Sequence, residues 1–262
     1  VLLHLLRGTP RNKAAALPLS IEASAKEATV WIYDFIGYDP WTGTGVSAAD
    51  FAKEVSAITA PVIRVRINSP GGSVFDGRAI HAALKAHPAH VIASIEGVAA
   101  SAATFIALAA DEVQMARGSL FMIHNAHTLA VGNAEELRST AALLEKVDGT
   151  LVADYVAKTG ATEEQVRAWM AAETWFSEEE ALAAGFIDTI TDGTVTTHWD
   201  LSAYAKAPAS PAAVAAPALP AVAAAPAAPA AALPEAGDPL AWEEAVRRLR
   251  TYEDAAPVRI SA

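Results

Sequence analysis

The chain has 262 residues, 53% of them hydrophobic, a formal net charge of −11 and no cysteine. That length accommodates one sizeable domain with an appendage, and the acidity argues against nucleic acid or an anionic membrane as partner, because both are held by Lys and Arg. The lack of cysteine removes disulfides, thiolate metal sites and a cysteine nucleophile together, and fits a reducing cytosol. No apolar run is long enough to span a bilayer. The start, Val1–Leu6, is apolar but contains His4 and is followed by Arg7 and Arg11, which is not the order of a secretory signal.

After an N-terminal segment over residues 1–28, strand and helix signals alternate through a body that ends near residue 204. Residues 30–35 read as a strand. Ser47 caps a helix over 47–58 in which Phe51, Val55 and Ile58 share a face. Residues 62–67 alternate, with Ile63, Val65 and Ile67 on one side and Arg64 and Arg66 on the other. The turn Asn68-Ser69-Pro70-Gly71-Gly72 follows, then a helix ended before Pro88. A strand is expected over 91–95, an all-round buried helix over 99–110, a strand over 120–123 and a long helix over 133–158. Two shorter helices and a strand over 186–190 close the body. Such alternation predicts an α/β fold with mostly parallel pairing. Residues 205–235 are Ala/Pro-rich and read as an extended linker, because repeated Pro prevents a continuous helix. In the tail, 236–262, Trp242, Val246, Leu249 and Tyr252 share one face of a short amphipathic helix over 239–255.

Three places carry chemistry. Ser101 stands where a strand gives way to a buried helix, beside unpaired backbone N–H groups at the positive end of the helix dipole. Alone, it reads sooner as an ordinary helix-capping serine before a core helix. His124 directly follows an apolar strand and so emerges at the carboxyl edge where α/β proteins place their sites; imidazole is the natural base for a serine proton. His127 raises a metal-site alternative, weak without further ligands. Gly71 and Gly72 permit backbone shapes other residues resist, and the loop lacks the Lys and Ser/Thr of a phosphate loop.

In their joint order, Ile67 to Gly72, then Gly97-Val98-Ala99-Ala100-Ser101, then Met122-Ile123-His124 resemble the signature series of the Clp protease proteolytic subunit family, over residues 30–192. Val74-Phe75-Asp76-Gly77, Ala99 to Ala103 and Glu173-Thr174-Trp175-Phe176 resemble the branch found as head-maturation (prohead) proteases of tailed phages and prophages. The resemblance implies a fold of repeated β-β-α units, shared with crotonase-like enzymes. It also implies a serine endopeptidase with Ser101 as nucleophile, His124 as base, and an oxyanion hole from the N–H groups of Gly72 and Ala102. Substrate would lie along Gly71 and Ser73 as an added strand.

The family's acid is usually an aspartate ahead of a segment that reads Ser177 to Gly185 here; the matching residue is Glu173, with Asp148 as fallback. The resemblance further implies a ring-like homo-oligomer joined through the long helix, no metal or other cofactor, and no required ATPase. Expected substrates are capsid or scaffold proteins, and the expected location is the bacterial host cytoplasm or the prohead interior. A crotonase-like acyl-CoA enzyme and a non-catalytic, scaffold-like assembly protein on the same fold are the alternatives.

Overall fold

The computed structural model describes residues 11–12, 20–39, 44–193, 199–201 and 204–208. The strands are β1 (Arg11–Asn12), β2 (Ser20–Ala23), β3 (Glu27–Ile32), β4 (Val62–Ser69), β5 (His90–Ala100), β6 (Glu112–Ala116), β7 (Leu120–Ile123), β8 (Thr174–Ser177), β9 (Thr189–Thr191) and β10 (Trp199–Asp200). The helices are α1 (Ala48–Ser56), α2 (Val74–Lys85), α3 (Ala102–Ala107), α4 (Ala134–Thr159), α5 (Glu163–Ala171) and α6 (Glu178–Ala183). The linker beyond residue 208 and the helix expected over 239–255 lie outside the described residues.

One sheet runs in the order β2-β3-β4-β5-β6-β9, with β7 pairing β5 and β8 pairing β7. The pairs β3–β4, β4–β5, β5–β6, β5–β7 and β6–β9 are parallel, as the alternation predicts; β2–β3 and β7–β8 are antiparallel. A separate ribbon pairs β1 with β10. In β4, Ile63, Val65 and Ile67 are buried while Arg64 and Arg66 bond Glu27 and Glu96 on the other face.

β5 departs from the expectation. It does not stop at Ile95 but runs to Ala100, and the helix starts only at Ala102. The reason lies in its partners. Ile92–Ile95 pair with β6, whereas Val98–Ala100 pair with β7. Between the two halves the β4 register jumps from Ile67↔Ile95 to Ser69↔Ala99. This bulge bends the strand from one neighbour to the other. Asn68 fills it, its side-chain oxygen accepting the Val98 N–H at 3.2 Å. A Cβ at position 97 would come within 2.6 Å of that oxygen, so a side chain there would push the Asn68 amide away from the bulge. The apolar run 97–100 is therefore strand between two strands, a setting that hydrophobicity alone does not separate from a buried helix. β2, β6 and β8 were not anticipated, being only four or five residues long. The last strand also falls later than expected, at Thr189–Thr191.

The core on the helical side gathers around Phe186. Its ring stacks on Phe121 at 4.9 Å and meets Phe176 at 5.1 Å, Tyr155 at 5.8 Å and Trp169 at 5.8 Å. These rings come from β7, β8, α4 and α5, so this cluster ties the helices to the strand that carries His124. Phe186→Ala is expected to destabilise the fold by about 3–5 kcal/mol, the usual cost of emptying a buried aromatic site. Chemical denaturation measures it, and a loss below about 1 kcal/mol would contradict the packing described.

Candidate active site

The end of β5 and the start of α3 meet at Ser101, whose backbone sits at φ 57°, ψ −126°. Glycine adopts these values freely, as at the first central position of a type II′ turn; a side chain there is strained by about 1–3 kcal/mol. The strain is held from both sides. The Ser101 N–H donates to the Met122 carbonyl at 2.9 Å, and its carbonyl accepts from the Thr104 hydroxyl at 2.6 Å. Thr104 is backed in turn by the Tyr155 hydroxyl at 2.6 Å, which ties α4 to the turn.

Although Ser101 stands at the N-cap position of α3, its side chain makes no capping bond. Its Oγ instead lies 3.0 Å from His124 Nε2, with both residues buried. His124 stands one residue past the end of β7, next to the end of β5. The serine–histidine juxtaposition expected from the sequence is thus formed, and the plain helix-cap alternative does not describe this serine. His127 lies against His124, ring centroids 5.1 Å apart, and among the described residues no group of three potential ligands gathers there.

The glycine loop closes on the turn. Gly71 and Gly72 have φ of 91° and 147°. A Cβ on Gly71 would approach the Ala100 carbonyl oxygen to 2.5 Å, Ser101 Cβ to 2.6 Å and the Ala102 nitrogen to 2.9 Å, so this loop rests directly on the nucleophile turn. Ser69 shapes it, its Oγ donating to the Asp34 carbonyl at 2.7 Å and accepting the Gly71 N–H at 3.1 Å. The Gly71 carbonyl and the Ser73 N–H are both bonded to Ile36, each at 2.8 Å. That leaves the N–H and carbonyl of Gly72 directed to the opposite side of this short bridge. Ser73 also caps α2, accepting the Asp76 N–H at 3.3 Å.

Glu173 is the residue after the α5 C-cap and is, with Ser101, one of two non-glycine residues of positive φ among the described residues, at 49°. Retained strain of this kind marks functional positions more often than neutral ones. β8 brings it near His124: Ile123 pairs with Thr174, so Glu173 and His124 are the next positions along that ladder. Its carboxylate accepts from Trp175 Nε1 at 3.3 Å and from the N–H groups of Ala205 at 3.1 Å and Lys206 at 2.6 Å. Asp148, the fallback acid, accepts the Ala126 N–H at 2.7 Å and so steadies the loop after His124; burial pushes its carboxyl up, and the Ala126 bond pulls it back.

One residue at the site went unforeseen. Tyr204 places its ring edge-on to His124 and to Trp175, both at 5.5 Å, and its hydroxyl donates to the Pro70 carbonyl beside Ser101. The signal was Trp199, Leu201 and Tyr204, three bulky residues immediately before the Ala/Pro stretch.

The family model for Clp protease matches residues 40–194, more than half of the chain. An ATP-dependent Clp protease proteolytic subunit from Streptococcus suis is 32% identical over 144 residues, which is 50% of this chain and 69% of that protein. The corresponding subunit from Deinococcus radiodurans is 34% identical over 50% of this chain and 66% of its own length. The chain thus spans about two thirds of the curated relatives it matches. A mutant of ClpP1 from Listeria monocytogenes superimposes with a TM-score of 0.54 at 26% identity, covering 63% of this chain and 91% of that one. The chain belongs to the Clp protease family of serine endopeptidases.

Proposed function

We propose that Ser101 is the nucleophile, His124 the general base, Glu173 the acid that orients it, and the N–H groups of Gly72 and Ala102 the oxyanion hole. The observation that carries this reading is the 3.0 Å contact between Ser101 Oγ and His124 Nε2 at a strained turn with the glycine loop against it. His124 Nε2 takes the hydroxyl proton as Oγ attacks a peptide carbonyl, and the two N–H groups receive the developing oxyanion. His124 then returns the proton to the leaving amine, and water, activated the same way, releases the acyl group. Each oxyanion donor contributes about 3 kcal/mol to such a step. The bond chemistry calls for no metal, cofactor or nucleotide, and in this sense the peptidase is ATP-independent. Substrate approaches along Gly71 to Ser73, where Gly72 has backbone groups to offer.

The active form is a ring-like homo-oligomer. Supporting this, the first half of α4 and the loop before it carry exposed apolar side chains, Leu129 at 62%, Val131 at 81%, Leu137 at 45% and Leu143 at 37%, a patch suited to a second copy. The body over 29–204 is the catalytic unit and residues 205–262 its appendage. Capsid or scaffold proteins of a phage head are the substrates suggested by the resemblance of Val74 to Gly77 and Glu173 to Phe176 to the prohead-protease branch; the relatives named above are bacterial subunits.

A fluorophosphonate probe, followed by mass spectrometry, is expected to modify Ser101 and to lose labelling entirely in Ser101→Ala and His124→Ala; labelling that persists in Ser101→Ala would refute the nucleophile. Gly71→Ala is expected to abolish peptide hydrolysis because its methyl enters the nucleophile turn, and unchanged turnover would place the loop elsewhere. Added to Tyr204→Ala, Glu173→Gly is expected to lower kcat at least about tenfold relative to Tyr204→Ala alone. Unaltered kcat would remove Glu173 from the triad.

A further inference from the structure

Residues 199–201 and 204–206 lie at the catalytic edge, after the last strand of the main sheet in the chain. Trp199 is buried and donates its indole N–H to the Asn68 carbonyl at 3.0 Å. It packs on Val98, Ala100 and Met122, the strand residues flanking the nucleophile turn, with Leu201 and Tyr204 alongside. Tyr204 then reaches over the dyad. Its hydroxyl donates to the Pro70 carbonyl, next to the Gly71 that rests on the Ser101 turn, and its ring lies edge-on to both His124 and Trp175. Burial pushes the phenol well above its ordinary range, the Ser101 hydroxyl opposing and the Glu173 charge adding to the rise, so it remains a neutral donor. The next two N–H groups, of Ala205 and Lys206, close on the Glu173 carboxylate.

One short segment thereby engages the carbonyls on both sides of Ser69, the proposed base and the proposed acid. A scissile carbonyl must come within bonding range of Ser101 Oγ and of the Gly72 and Ala102 N–H groups, and the Tyr204 phenol stands at that approach. A carboxylate that accepts two strap N–H groups also has less capacity left to orient an imidazole.

We propose that residues 199–201 and 204–206 form a built-in strap whose Tyr204 occludes Ser101 and His124 and whose backbone holds Glu173, keeping the peptidase at rest until the strap is displaced. Displacement by a polypeptide substrate, or cleavage of the chain beyond the strap, frees the groove and the acid in one event. Because the strap is part of the same chain, it competes at a fixed, high effective concentration, and apparent reactivity falls by the fraction of time the groove is filled. This inference rests on the assignment of Ser101 as nucleophile.

The test is the rate of fluorophosphonate labelling on the full-length chain for wild type, Tyr204→Ala and Trp199→Ala, each with a Ser101→Ala counterpart, after size-exclusion chromatography confirms equal assembly. Trp199→Ala cuts the anchor without touching the dyad, and Tyr204→Ala removes the plug without emptying the main core. Both are expected to label roughly tenfold faster or more than wild type, with Tyr204→Phe in between because it keeps the ring and loses the Pro70 bond. Equal rates in all variants, abolished by Ser101→Ala, would overturn the strap and leave the nucleophile standing. Labelling absent from every variant would overturn both.

Discussion

Ser101 is held at φ 57° because the chain must leave β5 and enter α3 within a single residue, with the strand's last pairs still bonded to β7. That constraint reaches far. It sets Oγ outside the helix, so the side chain cannot cap α3 and meets His124 instead. It requires the bulge at Asn68 and Gly97, since without it β5 would continue beside β6 and never reach β7. It also requires Gly71, because any side chain there would occupy the space of the turn. The cost of the strained residue, about 1–3 kcal/mol, is small beside the packing that over-determines it: α3 is buried along its whole length, and Thr104 and Tyr155 lock its first turn.

The second strained residue shows the same logic at the far side of the site. Glu173 occupies the left-handed position after α5 where glycine is the usual choice. A carboxylate is retained there despite the backbone cost, one ladder position from the base. Its bonds to Ala205 and Lys206 turn the same group into a clasp for the chain's own segment. A resting state that ties up the acid and covers the serine suits a peptidase whose nucleophile would otherwise be permanently activated.

The central strands and the long helix were legible because each rests on a local pattern, alternation in residues 62–67 and a capped run over 133–158, whereas Ser101 and His124, weak signals singly, stood out only through their joint order with the glycine loop and the resemblance it carries. The strand–helix border at residues 97–102 was not, because small apolar residues fit a strand between two strands as well as a buried helix. The bond from the Asn68 side chain to the Val98 N–H, which decides the matter, spans 30 residues and leaves no periodic trace. Tyr204 was missed for a related reason. The composition shift at Ala205 drew the boundary of the body, and nothing in a lone tyrosine before an Ala/Pro run says that it folds back over a site more than 70 residues earlier.

The most direct test of the account is the structure of the Tyr204→Ala protein bound to a peptide boronate, which mimics the tetrahedral intermediate. Boron bonded to Ser101 Oγ, with one boronate oxygen accepting from the N–H groups of Gly72 and Ala102 and Glu173 turned to His124, is the result predicted. Boronate that leaves Ser101 unmodified, or whose oxygen points away from the glycine loop, would contradict it.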